Sequence, residues 1–284
     1  MIGSKANNPQ IELLPEGTAI WPNFCLKWSE LEEAKQTQKK LPAKIIDSNI
    51  DRREFIVSFG NGYTAVLPFE DSIYRGTINL LSRNGNLSRY STALIGENVY
   101  VLITDIDNSG YITVSRKPLL KQAYQKIREL CENENPIFQC RAIYNTAKSA
   151  MVDMGGGILG IIPIQELSMV VYNNIENWIK TGDTFFASFY EFDQEKNMFI
   201  LSRKQYYGQH STVPQIGEQI YVKTGKITES NPFGRFVELT PGIAGVLNKP
   251  RHFYEEGTLV KAKVSCRIED PQILCGYRIQ LIPA

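Results

Sequence analysis

Along most of the chain apolar residues alternate with other residues at period two, in runs of strand length. Val99–Ile106 (VYVLITDI), Thr184–Phe192 (TFFASFYEF) and Leu259–Ile268 (LVKAKVSCRI) are the clearest runs. Turn signals separate such runs at Asn61-Gly62, Asn108-Ser109-Gly110, Gly155-Gly156-Gly157 and Pro241-Gly242. The pattern predicts β-strands, with helical spacing confined to the joints. Ser29 followed by Glu32 has capping-box spacing and predicts a short helix that stops before Pro42. Pro118 suits a helix N1 position, and Leu120, Ala123, Ile127 and Leu130 then form one apolar stripe, predicted to pack on a neighbouring sheet.

The strand runs repeat. Three segments begin alike: IGENVYVLITDID at 95–107, TGDTFFASFYEFD at 181–193 and IGEQIYVKTGKI at 216–227. The first two also end alike, in Ser-Arg-Lys tripeptides at 115–117 and 202–204. Before each lies a second shared block: YTAVLPFED at 63–71 matches ILGIIPIQEL at 158–167, with GIAGVLNKP at 242–250 as the third copy. Three divergent copies of one unit account for 284 residues better than the two domains length alone suggests. Each unit holds about five short strands, with a longer, partly polar connection after the third, as at 71–95 and 168–181. Five strands closed to hide their edges suggest an OB-type barrel. The expected fold is all-β: three tandem five-stranded OB-fold barrels with short connecting helices. The expected boundaries are an arm at 1–42, units at 43–117, 133–204 and 216–284, a linker helix at 118–132 and a linker at 205–215.

Charge and cysteines narrow the function classes. With 31 Lys+Arg against 30 Asp+Glu, the chain lacks the basic excess that grips duplex DNA by bulk electrostatics. The balance is uneven: residues 132–204 carry six basic and nine acidic side chains, and residues 205–284 nine basic and seven acidic. The last third is therefore the better candidate for meeting a polyanion. Five scattered cysteines, none closer than nine positions to the next, fit reduced thiols rather than a disulfide framework or a disulfide-linked partner. No apolar run is long enough to span a membrane, and the N-terminus has no signal-peptide pattern, so a cytoplasmic protein is expected.

The repeated blocks resemble the S1 RNA-binding domain family, the repeat of ribosomal protein S1. The third unit holds Phe233-Gly234-Arg235-Phe236-Val237 and then Gly245-Val246-Leu247-Asn248. The second holds Val152-Asp153-Met154-Gly155, Gly160–Leu167 and a closing Leu201-Ser202-Arg203-Lys204; the first keeps Ala65-Val66-Leu67-Pro68 and Val114-Ser115-Arg116-Lys117. The resemblance covers about residues 43–284 and implies single-stranded RNA binding, by aromatic stacking on the second and third strands with basic groups on phosphates.

Only the third unit keeps both aromatics of that motif, Phe233 and Phe236, flanking Gly234. They read as an exposed platform or as barrel core, and the family spacing favours the platform. Arg235, Asn248 (where the family usually has histidine), Lys223, Lys263 and Arg278 are placed around them. Asn248 is equally readable as a turn or cap residue. In the second unit Lys148 and Met151 take the aromatic positions and Pro163 the histidine position: Lys148 can touch phosphate, but an inert or protein-binding face suits the acidic unit better. In the first unit Arg53 and Ile56 stand there, Arg53 able to stack on a base or simply solvated.

The triple glycine at 155–157 is not followed by Gly-Lys-Ser/Thr and reads as a turn. His210 and His252 have no spaced partner for a triad or a metal, so no catalytic residue, metal or cofactor is expected. The leading expectation is a non-enzymatic, bacterial RNA-binding protein in translation or RNA handling, with the ribosome or other proteins as further partners. Its alternative is a protein-interaction scaffold of degenerate barrels, in which the N-terminal arm, with Trp21, Trp28 and the helix at about 29–41, reads either as a docking element or as a lid on the first barrel.

Overall fold

The computed structural model describes residues 25–74, 86–173, 175–226, 234–248 and 254–284. Helix α1 (Trp28–Thr37) leads into barrel 1, formed by β1 (Leu41–Asn49), β2 (Glu54–Gly60), β3 (Tyr63–Pro68), β4 (Asn98–Ile106) and β5 (Ile112–Ser115). Helices α2 (Phe69–Ser72) and α3 (Asn86–Leu94) lie between β3 and β4, and α4 (Lys117–Asn133) leads to barrel 2. That barrel comprises β6 (Ile137–Asn145), β7 (Ser149–Asp153), β8 (Leu159–Pro163), the short α5 (Ile164–Leu167), β9 (Thr184–Asp193) and β10 (Met198–Ser202). Helix α6 (Arg203–His210) joins it to barrel 3: β11 (Gln219–Thr224), β12 (Gly234–Thr240), β13 (Ile243–Asn248), β14 (Leu259–Glu269) and β15 (Tyr277–Pro283).

Each barrel is closed in the same order, first strand to second, second to third, third to fifth, fifth to fourth and fourth back to first. The third–fifth contact is parallel and all others antiparallel. Period-two alternation sets the inside: Ala43, Ile45, Phe55, Val57, Phe59, Ala65, Leu67 and Val99 fill barrel 1, and their sequence neighbours face out. Barrels of this size are filled by side chains, so alternation at this fidelity is what closure requires.

The phase of the repeat differs from the sequence reading in one unit. Residues 95–97 and 181–183 precede the fourth strand of their barrels, but 216–218 precede β11, the first strand of barrel 3. The fourth-strand counterpart there is Gly257. Gly96, Gly182 and Gly257 each take a positive φ (92°, 91° and 84°), and each donates its N–H to the first strand at 2.8 Å, to Ile45, Ala142 and Thr224 respectively. Only residues without a Cβ adopt that conformation at no cost, which is why the turn recurs.

The joints also depart in detail. The N-terminal cap of α1 sits two residues earlier than Ser29: the Lys27 N–H donates to Glu30 Oε2 at 2.7 Å. Leu31 and Ala34 bury against barrel 1. Pro118 falls one residue inside α4, whose Leu120, Ala123 and Ile127 pack on barrel 2 while Leu130 stays exposed. Tyr124 replaces Leu130 in that contact and stacks on Tyr74, ring centroids 4.1 Å apart.

Candidate nucleic-acid interface

Strand register fixes which residues are equivalent on the outer face of the second, third and fifth strands. In barrel 1 Ile56 pairs with Val66, which pairs with Thr113. The matching rows are Met151, Ile161 and Ile200 in barrel 2, and Phe236, Val246 and Gln280 in barrel 3. Inward neighbours confirm the phase, since Val57, Val152 and Val237 are each fully buried. The three outward residues Ile56, Met151 and Phe236 are thus one position in three settings.

In barrel 3 that position is open: Phe236 is 40% exposed beside the half-buried Val246. Asn248 is the next outward residue on β13, its Nδ2 donating to Gln280 Oε1 at 3.5 Å. Lys263 points outward from β14, opposite Ile282. Arg278 also faces solvent, but its Nε lies 2.5 Å from an Asp270 carboxylate oxygen, and that hydrogen bond holds the Asp270 carboxyl below its usual range. Phe233 lies outside the described residues, as do Trp21 and His252.

Two residues expected around the platform are engaged elsewhere. Arg235 shares the inward parity of Val237 and is buried, its Nε and Nη2 donating to the Gly225 carbonyl at 3.2 and 2.9 Å. Lys223 faces outward but sits under barrel 2, its Nζ 3.8 Å from the centre of the Trp178 ring, and burial pulls its ammonium pKa down. Lys148 is exposed between β6 and β7, with its carbonyl accepting from Ile164 N–H at 2.9 Å. Arg53 is exposed in the β1–β2 turn at φ 57°, its carbonyl accepting from Phe69 N–H at 2.8 Å. The fold therefore gathers Phe236, Val246, Asn248 and Gln280 into one patch with Lys263 at its margin.

The equivalent face of barrel 2 is closed. Met151, Tyr144, Leu159 and Met198 join the apolar cluster of barrel 1, with Ile161 packed beside them, against Tyr90 and Leu94 of α3. Arg89 donates to the Asn145 carbonyl at 3.1 Å, and Arg141 pairs with Glu97. Asp153 is buried near Arg116 and Arg141 and accepts the Gly155 N–H at 2.8 Å; burial nevertheless pushes its carboxyl up to about 7.

Barrel 3 is covered over part of the same face. The segment after α5 lies across Glu238 and Ala244, the outward neighbours of Phe236 and Val246. Glu238 accepts from Tyr172 Oη at 3.0 Å and from Ser168 Oγ, and the rings of Tyr172 and Trp178 stack. The phenol pKa of Tyr172 is driven up first by burial and then by the Glu238 charge, so it stays a donor. Met169 N–H donates to the Pro241 carbonyl at 2.9 Å and Lys226 N–H to Val171 at 2.9 Å. At the adjoining β12–β13 turn a Cβ on Gly242 would overlap the Gly208 backbone of α6.

The chain is 23% identical over 234 residues to small ribosomal subunit protein bS1 of Mycolicibacterium smegmatis, covering 78% of the chain and 44% of that protein. It is 24% identical over 260 residues to the bS1 homolog of Bacillus subtilis, covering 84% and 62% respectively. The chain is S1-like. It spans less than two thirds of the length of these relatives. No family model matches it. A solved multidomain protein with nucleic acid binding domains from Streptococcus pneumoniae aligns over 87% of the S1-like chain and 73% of its own, at 15% identity and a TM-score of 0.30, which carries nothing about function.

Sequence reasoning missed the residues that divide the S1-like faces between barrels: Tyr172, Trp178 and Glu238 at one junction, Tyr144 and Met198 at the other. One signal for the second junction was present. From Ala150 to Ile164 the chain is almost continuously apolar, without alternation, and strands of that composition are covered on both faces.

Proposed function

We propose that this chain is a non-enzymatic RNA-binding protein that holds single-stranded RNA with low sequence specificity, chiefly on barrel 3. The observation that carries the reading is that Phe236 is the one aromatic among the three equivalent outward positions, and it is exposed. An exposed ring offers any base a π-face, and the neighbouring amides of Asn248 and Gln280 offer hydrogen bonds to a base edge or ribose. The similarity to bS1 supports ribosome-linked RNA handling in a bacterial cytoplasm, and no helix among the described residues is long and apolar enough to cross a membrane.

The test is fluorescence anisotropy of labelled single-stranded RNA, duplex RNA and single-stranded DNA across a salt series. Tighter binding of single strands is expected, with a shallow salt slope because few phosphates are neutralised. One stacked base is worth roughly 1–3 kcal/mol, so Phe236→Ala should weaken binding roughly 5- to 150-fold. Unchanged affinity in a folded Phe236→Ala chain overturns the site. A scaffold reading rests on a different observation, the burial of the barrel 2 face against barrel 1. It gains if no RNA is retained even at low salt while a protein partner co-elutes.

A further inference from the structure

The connection between the third and fourth strands of one barrel reaches the outer face of the next, and it does so twice with different results. In barrel 1 that connection carries α3, whose Tyr90 and Leu94 share an apolar cluster with Met151 of β7, and Met151 is buried. In barrel 2 it is the segment at 168–173, and Phe236 of β12, the position equivalent to Met151, stays 40% exposed. The first connection is a cover. The second stops at the edge of the ring.

Gly225, just past β11, sets where it stops. Its N–H donates to the Phe236 carbonyl at 2.9 Å, and the next N–H, of Lys226, donates to the Val171 carbonyl at 2.9 Å. A Cβ on Gly225 would lie 3.2 Å from the Phe236 oxygen and 3.4 Å from the Val171 oxygen, and would overlap Val170 Cγ1. Glycine is therefore what lets the segment come this close to Phe236. Val170 and Tyr172 bury with Trp178 against Ala244, while Val171 between them faces away from the sheet and is 66% exposed. Asn173 fastens the far end, its N–H and Nδ2 donating to the two carboxylate oxygens of Glu256 at 2.9 and 3.0 Å. The Lys226 side chain is exposed beside Val171.

We propose that this segment of barrel 2 completes the RNA site of barrel 3: Val171 walls the groove beside Phe236, and Lys226 holds a phosphate of the strand stacked there. The proposal rests on the RNA-binding reading above and deepens it. An aromatic floor accepts any base, and a basic group beside it tracks the backbone. The wall adds apolar contact that a bare sheet lacks, and it halts the strand on the side of Tyr172 and Trp178. Bases then leave Phe236 toward Val246 and Gln280. Barrel 2, whose own face is closed, thus takes part in binding through its neighbour.

The experiment uses the full chain and a labelled oligouridine of about 16 nucleotides, the upper site size for one such barrel, followed by fluorescence anisotropy across a salt series. Val171→Asp, Lys226→Gln, Lys226→Arg and Phe236→Ala are compared. Val171 and Lys226 are exposed, and circular dichroism checks that each variant folds. Val171→Asp should weaken binding at least about tenfold, because it sets a carboxylate against the phosphates. Lys226→Gln should lower the salt slope by about 0.7, the value for one phosphate of a single strand, and Lys226→Arg should keep the parent slope. Parent-like affinity in Val171→Asp, or an unchanged slope in Lys226→Gln, overturns the composite site; the Phe236 reading still stands if Phe236→Ala weakens binding. Losses in Val171→Asp and Lys226→Gln beside a parent-like Phe236→Ala keep the wall and remove the ring from the site. A parent chain that binds no oligouridine at any salt overturns both.

Discussion

Removal of the Glu238 carboxylate should release barrel 3 from barrel 2. Glu238 is only 8% exposed, accepts from Tyr172 Oη at 3.0 Å and from Ser168 Oγ, and lies directly across the sheet from Lys223. In Glu238→Ala two buried hydroxyls lose their acceptor, and Lys223 keeps the nearby positive charges of Arg203 and Lys180 with one counter-charge fewer. Hydrogen bonds to a charged group are each worth about 1.5–3 kcal/mol, and two of them lose their acceptor. The loss should therefore be about 3–5 kcal/mol, confined to the junction because the barrel 3 core lies on the other side of the sheet. Trp178 stands in the contact and reports it by fluorescence in urea. Tyr172→Phe removes one bond and should cost less. The double variant should show a coupling of about 0.5–3 kcal/mol between the two positions. A Glu238→Ala transition within about 1 kcal/mol of the parent, or strict additivity with Tyr172→Phe, would refute the account of what fastens these barrels.

Two further outcomes follow from the other junction. Met151→Asp places a carboxylate in the apolar contact between barrels 1 and 2, where unpaired charge costs several kcal/mol; scattering should show a larger radius of gyration, whereas Met151→Leu should cost under about 1.5 kcal/mol. Asp153 carries the pH dependence of the same contact. Its folded pKa of about 7 lies above its ordinary value of 3.8, so its contribution to stability is full below about pH 4 and is lost as pH rises through 7. The stability of the parent relative to Asp153→Asn should thus be greater at pH 5 than at pH 8, measured by urea midpoints, and the opposite sign would sink the assignment.

Much of this architecture was legible because closure of a small barrel leaves a strong imprint on the chain. Inward positions such as Val57, Val152 and Val237 must be apolar, the turns must hold glycine, and both demands recur at each copy. The mis-phased third copy shows where such reading fails. A Gly-Glu dipeptide before an alternating run looks the same whether it opens a first or a fourth strand, and only pairing distinguishes them. Arg235 could have been excluded from the surface by parity alone, since it stands two residues from the inward Val237. Lys223 could not, because its outward parity is correct and what covers it is Trp178, 45 positions earlier in the chain.

The two-sided apolar sheet of barrel 2 has a consequence for biosynthesis. A nascent chain emerges from its N-terminus, and domains fold as they clear the ribosome. When β7 and β8 appear, the surface that must cover Met151 and Ile161 has already been made, by α3 and the strands of barrel 1. The order of the genes' reading thus acts as a built-in chaperone, presenting a finished partner to a sheet that would otherwise be exposed while incomplete. A fragment that begins at α4 has no such partner, and its barrel 2 should accumulate in the insoluble fraction at yields the full chain does not show.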